Sequence, residues 1–202
     1  VARAALDGTP SPLFASALLE RGLARPTDTV NTENGSYTIE GRTIRDTHPA
    51  ARLSLADVIR LSSNIGSVKF VSRLTPRQEF ETLRDFGFGM PTGVPYPGEA
   101  AGTLHPPAEW SRQSRASLAI GYEFSVTALQ LATAYGAIAN GGDLLQPALI
   151  KEIRSRDGTV IYHHDRRVVR RLMSPDVAAT VRRMMVGVVE GGTGKEAQLA
   201  RF

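Results

Sequence analysis

A mixed α/β fold in which helices dominate is the class that the sequence predicts, and three patterns carry the prediction. Apolar stretches are repeatedly opened by Ser or Thr and closed by Gly or Pro. A polar excursion from Asp28 to Asp46, set around Tyr37, Ile39 and Ile44, reads as short strands. The runs Leu149 to Arg154 and Thr159 to Tyr162 flank Asp157-Gly158, a pair that favours the turn of a β-hairpin.

The elements follow in chain order. Phe14 to Glu20 predicts a short apolar helix stopped by Gly22 and Pro26. Ser54, with Asp57 three residues on, predicts a capping box and a helix whose apolar face is Leu55, Val58, Ile59 and Leu61. After Ser62-Ser63-Asn64 a second helical stretch carries Ile65, Val68 and Val71. Thr75-Pro76 with Gln78 starts another helix, and Gly87 is expected as its C′ residue. Residues 87–109 are rich in Gly and Pro without a sustained period, which predicts a long ordered loop. Thr127 with Gln130 caps a helix over Ala128 to Asn140, and Ser174-Pro175 begins a last one running to about Val189. Trp110 and Tyr122 are expected to be substantially buried, anchoring the long loop.

The chain has 202 residues, 42% hydrophobic and 22% charged, the composition of one globular domain or a large piece of one. It begins with Val rather than Met, which leads us to expect a piece of a longer protein. Cysteine is absent, which removes disulfides, thiolate nucleophiles and cysteine-ligated metals from consideration. Net charge is +4, with only Lys69, Lys151 and Lys195 as lysines. A nucleic-acid binder would interleave aromatics with its cations. The densest cluster, Arg166, Arg167, Arg170 and Arg171, has no aromatic platform, so we expect no nucleic-acid partner. It reads as a solvated surface, or as a face toward an anionic membrane.

Most candidate chemistry can be set aside. His163 and His164 are adjacent and would point to opposite faces of a strand, while His48 and His105 are isolated, so no metal site is expected. Gly191-Gly192-Thr193-Gly194-Lys195 is similar to the tail of a P-loop but follows a helix where a P-loop opens one. A plain helix-to-strand connection is the simpler reading. No organic cofactor is expected either.

Ser62-Ser63-Asn64 is different, because serine and asparagine compete for backbone groups inside helices and here they interrupt two apolar stretches. Across a short non-helical link, Ser62 and Asn64 could face one cleft, offering a hydroxyl to relay a proton and an amide to hold a substrate amide. Alternatively, Ser63 or Asn64 simply caps the second helix.

The surroundings favour the first reading. Gly41-Arg42-Thr43-Ile44-Arg45-Asp46 precedes the triplet, and Asp85-Phe86-Gly87-Phe88-Gly89 follows it. Then come Thr92-Gly93, Pro97-Gly98-Glu99, Gly102-Thr103-Leu104, Trp110-Ser111, Ala119-Ile120-Gly121-Tyr122, Ser125-Val126-Thr127 and Ile138-Ala139-Asn140-Gly141-Gly142. In this order, from about Phe14 onward, the chain resembles the transpeptidase domain of class B penicillin-binding proteins. The whole of 1–202 would be one partial transpeptidase domain.

The resemblance implies the penicillin-binding protein/serine β-lactamase-like fold, here incomplete and with its helical lobe dominant. It implies cell-wall cross-linking by acyl transfer from D-Ala-D-Ala stem peptides, with peptidoglycan stem peptides and β-lactams as ligands. It also implies divisome or elongasome membrane proteins as partners. The place implied is the extracytoplasmic (periplasmic) face of the cytoplasmic membrane, reached through an anchor outside this chain. Three motifs build the family site: Ser-x-x-Lys, Ser-x-Asn and Lys-Thr/Ser-Gly. Ser62 and Asn64 would be the Ser-x-Asn residues.

The other two motifs do not occur in the sequence. Counting back from Glu20-Arg21-Gly22 sets Gly8 opposite the family nucleophile and Ser11 opposite its lysine; a one-residue slip offers Thr9. Thr193-Gly194-Lys195 has the wrong order for Lys-Thr-Gly, which in the family begins a strand shortly beyond the segment matching Gly191 to Phe202. Two versions follow: a fragment of a transpeptidase, inactive alone, or a non-catalytic scaffold or partner-binding module that has lost its nucleophile. A helical lobe without its sheet is further expected to self-associate.

Overall fold

The computed structural model describes residues 9–199. The first helix, α1 (Ser11–Glu20), carries Pro12 in its first turn and buries Ser11 through Leu18, so that it has no solvent-facing side there. Such a helix has to be surrounded, and α1 is the axle of the molecule. The excursion after it forms β1 (Thr29–Asn31), β2 (Ser36–Ile39), β3 (Arg42–Arg45) and β4 (Arg52–Ser54). Here β1 pairs with β4 and β2 with β3, both antiparallel.

Next come α2 (Leu55–Arg60), α3 (Asn64–Val71) and α4 (Pro76–Asp85). Ser54 caps α2 by accepting from the Asp57 amide at 3.1 Å. The expected reciprocal box does not form. Asp57 Oδ2 instead accepts from the Ser54 hydroxyl, and Oδ1 from Arg60. At α4 the box is complete, and the helix ends as expected: the Gly87 amide donates to Arg84 and the Phe88 amide to Leu83, with Gly87 at φ +95°.

The chain continues through β5 (Thr103–Leu104), α5 (Ser114–Ala119), β6 (Phe124–Ser125) and α6 (Ala128–Ala139). Then follow β7 (Asp143–Leu145), β8 (Glu152–Arg154), β9 (Val160–His163), β10 (Val168–Arg171) and α7 (Pro175–Gly191). Among the described residues every sheet has two strands: β5 pairs with β6, β7 with β10, and β8 with β9 in the expected hairpin. The helices therefore hold the core, which is centred on Phe14, Phe70, Phe88, Leu83 and Ile138, and the ribbons decorate it. No described helix is long and apolar enough to cross a membrane.

Several expectations are corrected. The buried polar anchor of the long loop is Gln130; of the two aromatics, Trp110 packs in part against the core and Tyr122 does not. The Gln130 Nε2 donates to the carbonyls of Met90 and Ala101, both at 2.7 Å, and to Gly87 at 3.3 Å. Trp110 is only half-buried, with its indole bonded to the His105 carbonyl. Tyr122 is 41% exposed under the Arg42 guanidinium, because the turn through Gly121 directs it outward. The arginine cluster is not merely solvated. Arg166 and Arg171 bracket the buried Asp143 at 2.6 and 2.9 Å, and Arg170 reaches Asp85 at 2.8 Å.

One buried acid gives a pH prediction. Glu79 on α4 is fully buried; its Oε2 accepts from Arg115 Nε at 2.9 Å, and its Oε1 has no partner among the described residues. Burial pushes its pKa up to about 7, against the pull of the Arg115 guanidinium. The folded state thus binds this proton more tightly than the unfolded chain. The resulting stability is complete below the ordinary carboxylate range and is lost as pH rises toward 7. Glu79→Gln should therefore gain on the wild type between pH 5 and pH 8 by up to about 3 kcal/mol in chemical unfolding. A difference that does not change with pH would refute this.

Candidate functional site

The link between α2 and α3 is built from hydrogen bonds that leave two side chains over. At the end of α2 the Ser62 amide donates to Ile59 and the Ser63 amide to Val58, the paired bonds of a Schellman ending. The residue at C′ in this motif is ordinarily glycine, because φ is positive there. Here it is Ser62, at φ +54°. A left-handed serine costs about 1–2 kcal/mol relative to its relaxed backbone, and such strain collects where a side chain is needed. Ser62→Gly should accordingly be as stable as the wild type or more stable, by up to about 1 kcal/mol, while Ser62→Ala should not gain. Thermal unfolding of the two variants checks this, and a clear loss in the glycine variant would contradict it.

Ser63 takes the cap. Its Oγ accepts from the Gly66 amide at 2.9 Å and donates to Asp46 Oδ2 at 2.6 Å. Asp46, buried just after β3, also accepts the Ile65 amide on Oδ1 at 3.0 Å. One carboxylate thus holds the α3 side of the link and sits at the positive end of that helix. A Cβ on Gly66 would lie 2.3 Å from Val58 Cγ2, so the two helices meet as closely as a glycine permits.

The two readings of the triplet are therefore compatible. Ser63 is the cap, and this leaves Ser62 and Asn64 for other work. The Ser62 hydroxyl has no hydrogen-bond partner among the described residues. Asn64 is the first residue of α3, partly buried, and its Nδ2 makes one bond, to the Arg45 carbonyl at 3.2 Å.

The start of α1 lies one turn further along α3. Ser11 Oγ is 2.8 Å from Ser67 Oγ, and the Ser67 hydroxyl donates to the Ser63 carbonyl at 2.8 Å. Ser11 is buried, and the Thr9 carbonyl accepts from Tyr135, whose phenol burial pushes up to about 12. Gly8 lies outside the described residues. The topology thus places Ser11 beside the Ser62–Asn64 link, with a hydroxyl where the resemblance calls for an ammonium. Lys69 is held elsewhere, by Glu33 at 2.6 Å and the Tyr37 ring.

Other candidates resolve against a role. Among the described residues no cluster of three His, Asp or Glu could hold a metal ion. The Thr193 amide donates to Arg60 and the Gly194 amide to Val188, so the glycine-rich stretch after α7 spends these two amides on carbonyls rather than on a phosphate. Asp46 and Gln130 are the residues that sequence reasoning missed. Asp46 stood in a quoted motif without a role, and Gln130 was read only as half of a capping box.

Comparison with known proteins is consistent across sequence and structure. The model of the penicillin binding protein transpeptidase domain matches residues 11–201. The chain is 36% identical over 197 residues to the penicillin-binding protein PbpB of Mycolicibacterium smegmatis, covering 93% of this chain and 30% of that protein. It is 32% identical over 145 residues to the peptidoglycan D,D-transpeptidase FtsI of Escherichia coli, covering 72% and 24%. The crystal structure of penicillin-binding protein 3 from Mycobacterium tuberculosis complexed with aztreonam superposes with a TM-score of 0.84 at 34% identity, covering 96% of this chain and 45% of that one. The chain thus spans less than half the length of each of these three proteins.

Proposed function

The chain belongs to the penicillin-binding protein transpeptidase domain family, and on that premise we propose that it supplies the helical part of a peptidoglycan D,D-transpeptidase site, with Ser62 and Asn64 as its Ser-x-Asn element. The observation that carries this reading is the division of labour in the triplet. Ser63 and Asp46 build the turn, while Ser62, strained and without a partner, and Asn64, lightly held, remain for a substrate.

In the reaction that the family resemblance implies, a serine oxygen that this chain does not itself supply attacks the carbonyl of the penultimate D-Ala, and the terminal D-Ala leaves with a proton on its amine. An amine of a neighbouring stem then takes the acyl group and returns the serine proton. Asn64 donates its amide to the acyl-side peptide, and the Ser62 hydroxyl passes the proton between nucleophile and leaving amine. β-Lactams would meet the same element reversibly; the mycobacterial structure has been seen complexed with aztreonam and with ampicillin. The work belongs outside the cytoplasmic membrane, where the stem peptides are, and in company with division or elongation proteins. The chain itself has neither Ser-x-x-Lys nor Lys-Thr-Gly, so it binds rather than turns over.

The test is titration of isotope-labelled chain with N-acetylated Lys-D-Ala-D-Ala, followed by NMR. Weak, reversible shifts centred on the Asn64 side-chain amide and the Ser62 backbone are expected, and Asn64→Ala should abolish them. Shifts elsewhere, or shifts unaffected by the substitution, would contradict the assignment.

A further inference from the structure

A second surface lies on the opposite kind of element, the β8–β9 hairpin. Between this hairpin and the segment after β7 is a groove of about 470 Å³, walled by Pro147, Leu149, Ile150, Ile153 and Tyr162, with Arg167 at its rim. Its apolar side chains are uncovered: Leu149 is 61% exposed and Ile150 53%, and Ile153 and Tyr162 are exposed as well. Contiguous exposed apolar surface of this kind marks an interaction site. The hairpin is also a two-stranded sheet, so its outer backbone edge is unpaired among the described residues.

Charge selects the occupant. Residues 151–171 contain seven cationic and three acidic side chains, so this segment alone accounts for the chain's formal +4. Arg166, Arg170 and Arg171 are neutralised by Asp143 and Asp85, and Arg154 by Glu152. Lys151, Arg156 and Arg167 have no carboxylate partner among the described residues. Of these, Arg167 lines the apolar groove and Lys151 directly follows its Ile150, and such cations complement a segment that alternates apolar and acidic residues.

We propose that the β8–β9 hairpin and its groove bind an extended acidic-apolar peptide segment of another polypeptide, which adds as a third strand. Backbone bonds to the free edge give affinity. Alternate apolar side chains enter the groove, and the acidic ones meet Lys151 and Arg167. A lipid surface would meet the same charges, but it would use neither a concave groove nor a strand edge.

The test uses the full 202-residue chain and a fluorescein-labelled peptide, Glu-Val-Asp-Ile-Glu-Val, in fluorescence anisotropy. Saturable binding is expected, weakened at least about tenfold by Arg167→Glu or by exchanging the acidic residues of the peptide for lysine. Lys151→Glu with Arg167→Glu should abolish it while leaving the melting temperature unchanged, and amide NMR shifts should map to residues 146–164. Equal binding of the acidic and lysine peptides would overturn the proposal. So would binding to phosphatidylglycerol vesicles but not to the peptide, or a dimer in sedimentation that occupies the hairpin and resists competition. None of these readouts involves Ser62 or Asn64, so failure here leaves the transpeptidase reading untouched, and the reverse.

Discussion

Asp46→Ala should lower the stability of the chain by about 3 kcal/mol in urea unfolding, because it removes a buried acceptor rather than an exposed loop side chain. The side chain accepts two hydrogen bonds from buried groups, the Ser63 hydroxyl at 2.6 Å and the Ile65 amide at 3.0 Å. Bonds to a charged acceptor contribute about 1.5–3 kcal/mol each, and removing the acceptor leaves both donors buried without partners. The damage should be local as well as global, since the lost bonds are the ones that shape the link. The amide resonances of Ser62 to Gly66 should broaden or move before global melting. Asp46→Asn, which can still accept from Ile65 but meets the Ser63 hydroxyl with a donor or a single oxygen, should fall between the two. A loss below about 1 kcal/mol for the alanine variant would show that Ser63 holds the turn without help.

Gln130→Ala should be of similar size, with a different symptom. The amide nitrogen has two hydrogens and three carbonyl acceptors; Met90 and Ala101, at 2.7 Å, take the main bonds and Gly87, at 3.3 Å, shares one. The side-chain oxygen meanwhile accepts from the Thr127 amide at 2.7 Å, closing the capping box of α6. One fully buried side chain therefore pins both ends of a long loop to a helix start. Its removal should cost about 2–4 kcal/mol and open residues 87–102 to limited proteolysis. If cleavage instead falls first in the β8–β9 hairpin, with residues 87–102 intact, the loop has another anchor.

What the sequence made legible were most of the helices, those announced by a capping residue; α5 (Ser114–Ala119), which has no side-chain cap, was not among them. Ser54, Thr75, Thr127 and Ser174 each cap the predicted helix, and Gly87 ends α4 as its position required. The Asp157-Gly158 hairpin likewise follows from local turn chemistry. The family motifs carried the fold, since local patterns alone could not say that α1 would be the buried axle. Interactions across long sequence separations were not legible. Nothing local to Asp46 announces Ser63, 17 positions away, or to Gln130 announces Ala101, 29 positions away. Tyr122 misled because an aromatic ordinarily marks burial, while the preceding glycine turn sets its direction. At the site, the spacing of Ser62 and Asn64 was readable. That Ser63, rather than Asn64, takes the cap needed coordinates.

The central claim is that this chain carries the Ser-x-Asn element of a transpeptidase site without an acylating serine of its own. Acylation requires a nucleophile with a base beside it. Ser11 is buried against Ser67, and Lys69 is engaged by Glu33. The most direct measurement is the intact mass of the chain after incubation with a fluorescent penicillin, read alongside a denaturing gel. The expected result is the unmodified mass and an unlabelled band. A stoichiometric mass gain that disappears in Thr9→Ala or Ser11→Ala would contradict the account, since it would place a working nucleophile at the start of α1.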